Sequence, residues 1–324
     1  MSETTQVAPV ERCTAAEWEA LVDGSAHGSV FCRTALLDAL DVDWEAWRLG
    51  PEMASRAGAL VFRNRAGGVE RAPIPFCLYQ GLLVSGGPTA GPAHRRVREH
   101  LEATRQLIEG MTGAGCLSWC LHPEFTDVRS LSWFNYHAPD EGQFSIEVRY
   151  TGVIEADPAA GMEPILMACR SVRRQEYRKA GARFRVEPSR DLDLLDHLHG
   201  LTFNRQGLER SERERDLLRR IASAAIDGGF GELLVARDRD DTPAGAVLFL
   251  HDRRASYYLV AANDPAFRST GVASLLFLSG VERSLARGIG RIDVVGMNSP
   301  NRGDFKTSFG AVPIPYFIAN WKRP

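Results

Sequence analysis

Apolar residues recur at the spacing of an amphipathic helix over 15–22, 33–40 and 94–111, and alternate as in a strand over 57–63 and 116–122. A Gly/Pro-rich turn at 86–92 precedes the long helix. Polar and turn-forming residues interrupt the pattern over 138–160, so the boundary is expected there, between domains 1–152 and 153–324. The second half is more regular. Helices are expected over 162–180, 191–202, 212–225 and 270–287, and strands over 183–187, 232–237, 244–251, 255–262 and 291–295. Residues 232–237 and 244–251 read as a hairpin turning at Asp240, Asp241 and Thr242. Two antiparallel strands, a central strand, a helix and another strand make an open mixed sheet of the α/β class, and the last strand is free to pack back on the first domain.

Composition narrows the class. A chain of 324 residues exceeds one ordinary core of ~100 to 200 residues, and 44% hydrophobic with 25% charged residues is the balance of a folded, soluble protein. No apolar run approaches the ~20 residues of a membrane span, and the polar first ten residues lack a signal peptide's apolar stretch, so a cytoplasmic protein is expected. The six cysteines have no framework spacing and read as reduced thiols. Cys116, Cys120 and His122 share one strand, but a structural zinc wants four ligands in close pairs, so no metal is expected. The signatures of nucleophile-elbow hydrolases, zincins and P-loop enzymes are absent from the sequence.

Charge is divided unevenly. Residues 1–150 hold 13 basic and 19 acidic residues, whereas 151–324 hold 26 and 22, which makes the second half the better host for an anion. Only three lysines occur, Lys179, Lys306 and Lys322. Arg268, Gly271 and Ala273 form an Arg-x-x-Gly-x-Ala pattern between the strand 255–262 and the helix 270–287, where unpaired N–H groups and small residues suit a diphosphate. Lys306 lies between Phe305 and Phe309, an i, i+4 aromatic pair that would fix an ammonium beside a carbonyl gaining negative charge; Asp304, Glu155 and Asp157 are candidate bases. Eight basic and two acidic residues fall between 170 and 190. Arg170, Arg173, Arg174, Arg178 and Lys179, with Tyr177 for stacking, read either as a nucleic-acid stripe or as a solvated helix face.

Taken in order, several segments resemble one family. They are the run from Thr202 through Arg205 to Gly207, the strand with Tyr257 and Tyr258, the Arg-x-x-Gly-x-Ala helix start, Ile292-Asp293-Val-Val-Gly296 and Phe305-Lys306-x-x-Phe309-Gly310. With Asp127, Arg129 and Tyr136 in the first half, they look like the Fem peptidoglycan-bridge aminoacyltransferases and related tandem GNAT-fold acyltransferases. The resemblance implies two tandem GNAT-like domains, the first on the acceptor side and the second on the donor side. It implies transfer of an aminoacyl group from charged tRNA to a free amine of a peptide or small molecule, with no permanently bound cofactor. Lys306 would then stabilise the oxyanion or the tRNA 3′ end, Tyr258 would border the reacting centre, and Arg205, Asp127, Arg129 and Tyr136 would hold the acceptor. In GNAT enzymes the loop corresponding to Arg268, Gly271 and Ala273 binds the coenzyme A pyrophosphate. An acyl-CoA donor is therefore the first alternative, and a non-catalytic tRNA- or peptide-binding module is the second.

Overall fold

The computed structural model describes residues 9–50, 57–85, 92–204 and 207–324. They form two compact units, 1–149 with 315–324 and 150–314.

In the first unit the chain runs through β1 (Val10–Arg12), α1 (Ala15–Gly24), α2 (Thr34–Leu37), β2 (Asp43–Leu49), β3 (Ala57–Arg63), β4 (Leu82–Val84), α3 (Ala93–Met111), β5 (Cys116–Cys120) and α4 (Arg129–Ser132), and enters β6 (Ser145–Glu155). Strands β1 to β4 form an antiparallel sheet in chain order. Thr14 opens α1 with a capping box: its side chain accepts from the Glu17 N–H while Glu17 accepts from the Thr14 N–H. The core gathers Leu107 and Ile108 of α3, Leu117 and Trp119 of β5, and Phe125, all essentially inaccessible.

The second unit continues from β6 through α5 (Glu163–Ala168), α6 (Ser171–Gly181), β7 (Arg185–Ser189), α7 (Leu192–Asn204), α8 (Glu212–Asp227), β8 (Gly231–Arg237), β9 (Pro243–His251), β10 (Ser256–Asn263), α9 (Val272–Ala286), β11 (Arg291–Asp293) and α10 (Pro300–Thr307), into β12 (Val312–Lys322). Its strand order is β6-β11-β10-β9-β8-β7, with β10 and β11 parallel and the other pairs antiparallel. The end of β12 pairs with β5 in the first unit. From β7 to β12 the order of elements repeats that from β1 to β6, strand-helix-helix-three strands-helix-strand-helix-strand. Helices α5 and α6 lie outside this repeat.

Three sequence expectations need correction. Residues 145–155, inside the segment read as broken by turns, form an 11-residue strand, whose last three residues pair with β11. The helix expected over 162–180 is two helices. Cys169 and Arg170 are extended, and the Arg174 guanidinium caps the freed end of α5 by donating to the carbonyls of Leu166, Met167 and Cys169 at 3.2, 3.3 and 2.5 Å. The helix expected over 33–40 shrinks to the single turn of α2. All six cysteines are free. Among the described residues no helix is long and apolar enough to cross a membrane, and no group of three or more His, Cys, Asp or Glu could hold a metal ion.

Candidate active site

The second unit opens its own sheet. Strands β10 and β11 are in register at only two positions, Ser256 with Ile292 and Tyr257 with Asp293, although β10 continues to Asn263. Within β10 the pairing to β9 slips between Tyr258 and Val260, which makes Leu259 the extra residue of a β-bulge. The bulge lies directly after Tyr258, where the two parallel strands part.

Lys306 stands beside that parting. It comes from the last turn of α10, whose Phe305 and Phe309 rings meet edge to face at 5.0 Å, while Phe309 packs on Phe277 at 4.5 Å. The aromatic pair therefore anchors the helix, as its i, i+4 spacing predicts. The Lys306 ammonium lies 5.6 Å from the centre of the Tyr258 ring and donates to the Val295 carbonyl and, at 3.1 Å, to the Gly296 carbonyl. Both of those residues have positive φ, 50° and 55°. For β-branched Val295 this conformation is strained and has to be held by its surroundings. Asp293 helps to hold it: its buried carboxylate accepts from the Val295 N–H at 2.8 Å and from the Thr151 hydroxyl at 2.5 Å. Burial lowers the Lys306 pKa to about 8, opposed by the negative charge of Asp293 and assisted by Arg302. An ammonium has three N–H groups, and the two carbonyls leave one for a substrate oxygen.

Tyr258 is buried, with Phe277 edge-on at 4.9 Å and Phe249 at 5.5 Å, and desolvation raises its phenol pKa. It offers a ring face to Lys306 and not a phenolate. Asp304 does not fit the role of base. It is exposed and paired with Arg170 at 2.7 Å, and that hydrogen bond holds its carboxyl below the usual range. Glu155 pairs with Arg291 at 2.5 Å, and Asp157 caps the Ala159 N–H at 2.9 Å. Asp293 escaped the sequence reading as a separate candidate, although it sits inside the quoted Ile-Asp-Val-Val-Gly run; an acid at a strand end before glycine was the available signal.

The remaining sequence candidates fall in several places. Arg268 is exposed on the turn before α9, and Gly271 is the left-handed residue, φ 82°, that starts the helix, followed by half-buried Ala273. Arg205 lies outside the described residues. In the first unit Arg129 grips Asp127 through two side-chain hydrogen bonds, 2.8 and 2.6 Å, and stacks 5.3 Å from the Trp133 ring. Tyr136, two-thirds exposed, meets His137 edge to face. The basic stripe of α6 is not one face. Arg170, Arg178 and Lys179 are exposed, whereas Arg173 and Arg174 turn inward, Arg173 onto Ser308, Glu176 and the Phe305 ring and Arg174 onto the end of α5. The inward pair is committed to packing and withdrawn from a nucleic-acid surface.

Comparison with known proteins gives this geometry a context. Residues 168–307 match the family model described as Acetyltransferase (GNAT) domain. No curated protein sequence matches the chain. Among solved structures, FemX is similar at a TM-score of 0.66 and 14% identity, over 95% of this chain and 96% of its own. A tandem GNAT protein from the clavulanic acid biosynthesis pathway, solved without AcCoA, gives 0.55 at 10% identity over 97% and 98%. L-PGS from Bacillus licheniformis gives 0.53 at 11% identity over 94% and 90%. At such identities the likeness is one of fold, and the fold is a tandem GNAT arrangement. The repeated element order has the same meaning.

Proposed function

We propose that this acyltransferase, whose residues 168–307 form a GNAT domain, joins an aminoacyl group from charged tRNA to a free amine of a peptide or small molecule. The observation that carries the reading is the Lys306 ammonium, fixed on the Tyr258 ring beside the parted strands β10 and β11 with one N–H to spare. The Fem resemblance of the sequence favours an aminoacyl donor over a simple acyl donor, and the folds shared with FemX, L-PGS and the tandem GNAT protein agree with acyl transfer.

In this reading the donor ester carbonyl lies in the gap along β10, near the bulge at Leu259. The acceptor nitrogen attacks the carbonyl carbon, the C–N bond forms, and the ester C–O bond to the tRNA ribose breaks. The proton lost by the amine ends on that ribose oxygen. Lys306 meets the oxygen that gains charge, and a fixed cation in a partly dry site is worth far more there than in water. Asp293 acts through the backbone: by holding Val295 it places the carbonyls that aim Lys306. The exposed Arg170, Arg178 and Lys179 would meet the tRNA backbone, while Asp127, Arg129 and Tyr136, with Arg205, are assigned to the acceptor.

The Arg268, Gly271 and Ala273 loop favours a second reading, an acyl-CoA donor. A non-catalytic binding module is the third. The test is amide formation followed by mass spectrometry with a pool of charged tRNA, acyl-CoA and amines, with and without RNase. RNase-sensitive product supports the tRNA donor; RNase-resistant product assigns the activity to CoA; no product with either donor favours the binding module.

A further inference from the structure

Two helices of the first unit enclose a pocket that the acyl-transfer reading does not use. One wall is a stripe of α3 with Val97, Arg98 and Leu101, the other is α4 and its exit with Ser130, Trp133 and Phe134, and the volume is about 460 Å³. That lies within the range of small-molecule sites. By element order α3 and α4 are the counterparts of α9 and α10. In the second unit α6 lies on both of those helices, with Arg173 on the Phe305 ring and Ser308 and with Glu176 on Ser274, and residues 272–278 of α9 are buried apart from Ala273. Among the described residues no helix precedes β1, and His94 to Arg98 on the first turns of α3 are exposed.

The open groove keeps apolar side chains where a merely solvated one would be polar. Trp133 is 54% exposed and Val97 41%. The Arg129 guanidinium covers one face of the Trp133 ring at 5.3 Å, which leaves the other face as a flat platform. Two polar groups of the walls lack partners. Ser130 is only 6% exposed, and its hydroxyl makes no hydrogen bond among the described residues, a costly state for a buried donor. Arg98 makes neither a hydrogen bond nor an ion pair among the described residues. Glu102, one turn on, feels the Arg98 charge, but its carboxylate is already held by Arg105 at 3.1 and 2.7 Å and by Gln106 at 2.6 Å. Arg105 also engages Glu109, the other carboxylate of the pocket, so Arg98 is the cation left over.

We infer that this pocket binds a small aromatic carboxylate. The ring system stacks on Trp133 among Val97, Leu101 and Phe134, the carboxylate meets the Arg98 guanidinium, and the Ser130 hydroxyl donates to an acceptor atom of the ligand. A flat ring gains more than an alkyl chain does, because stacking on indole adds to the area buried. An anion is favoured over a cation because the leftover charge of the walls is positive.

Isothermal titration calorimetry of the purified full chain with 2-naphthoate tests the site. The wild type is expected to bind with a Kd of about 1 mM or below, the affinity open to a ligand of this size. Uncharged 2-naphthylmethanol and the alkyl carboxylate decanoate should each bind about 5-fold more weakly. Trp133→Ala should weaken naphthoate binding by about 10-fold, and Arg98→Ala by about 5-fold with no change in the binding of naphthylmethanol. Both side chains are exposed, so both variants are expected to keep the wild-type Tm. Should Trp133→Ala unfold, Val97→Glu, which puts a further carboxylate at the half-exposed mouth, is expected to abolish naphthoate binding in its place. A wild type that binds no naphthoate at about 5 mM, or an affinity that neither Trp133→Ala nor Val97→Glu lowers, overturns the site. Decanoate or naphthylmethanol bound as tightly as naphthoate overturns its assigned chemistry. Each result holds whether or not charged tRNA yields an amide, so the acyl-transfer reading and this site fail separately.

Discussion

Replacing Lys306 by Met keeps most of the side chain's bulk and removes its charge, which separates the stability of the site from its chemistry. Burial lowers the lysine pKa from 10.5 to about 8, so the unfolded chain holds this proton more tightly than the folded one. The wild type therefore gains stability as pH rises from about 8 to 10.5, and below that window both states are protonated and the whole penalty stands. The shift of roughly 2.5 units is worth about 3 kcal/mol at ~1.4 kcal/mol per unit. Against this, the variant loses hydrogen bonds to the Val295 and Gly296 carbonyls, about 1 kcal/mol each, which leaves a net gain of about 1 kcal/mol at neutral pH. Urea unfolding of both proteins at about pH 7 and about pH 10 reads the difference. The advantage of Lys306→Met should shrink or reverse at the higher pH. Turnover should fall by ~100-fold or more, with acceptor KM changed little. A stability difference independent of pH would refute the buried-ammonium argument, and retained turnover would refute the assigned role.

Arg173 positions Lys306 through the Phe305 ring and Ser308, so Arg173→Ala should lower kcat by about 10-fold with KM unchanged, and Arg173→Lys should not restore it, because lysine lacks the planar fork; steady-state kinetics checks both. Gly280 packs in α9 where an added Cβ would come within 2.1 to 2.7 Å of the Phe249 ring, so Gly280→Ala should cost about 2 kcal/mol or more in urea unfolding despite the better helix former. His251 is buried, with Nδ1 2.8 Å from the Ser256 hydroxyl, and burial, assisted by Arg287 and Arg283 and opposed by Glu232, lowers its pKa to about 4. The unfolded chain takes up this proton first, so stability should drain away as pH falls from about 6.5 to about 4, by up to about 3 kcal/mol, and His251→Leu should flatten that limb in acid unfolding.

The periodic segments were legible because one physical signal dominated each of them. Residues 57–63, 232–237 and 244–251 alternate or run apolar between turns, and they became β3, β8 and most of β9. The aromatic spacing of Phe305 and Phe309 placed Lys306 against a core, where it stands. Distant contacts were not legible. The pattern through residues 162–180 is helical on either side of Cys169, and only the capping by Arg174 and the bond from the Arg170 N–H to the Ser308 carbonyl break it. The polar run around β6 looked like a linker because its first half is exposed, while its second half finds β11 some 140 residues later. The role of Asp293 depends on a partner from another element, Thr151, and no local pattern announces such a meeting. The repeated order of elements, β1 to β6 and β7 to β12, was hidden for the same reason, since it lies in the succession of strands and helices and not in a motif.

The central claim is that a tethered ammonium converts an aminoacyl ester and an amine into an amide. The most direct measurement incubates the purified chain, and Lys306→Ala beside it, with charged tRNA and a panel of amines, and counts new amide bonds per enzyme by mass spectrometry. The account predicts repeated turnover by the wild type and a loss of at least ~100-fold in the variant. Equal amide yield from the two proteins would contradict it.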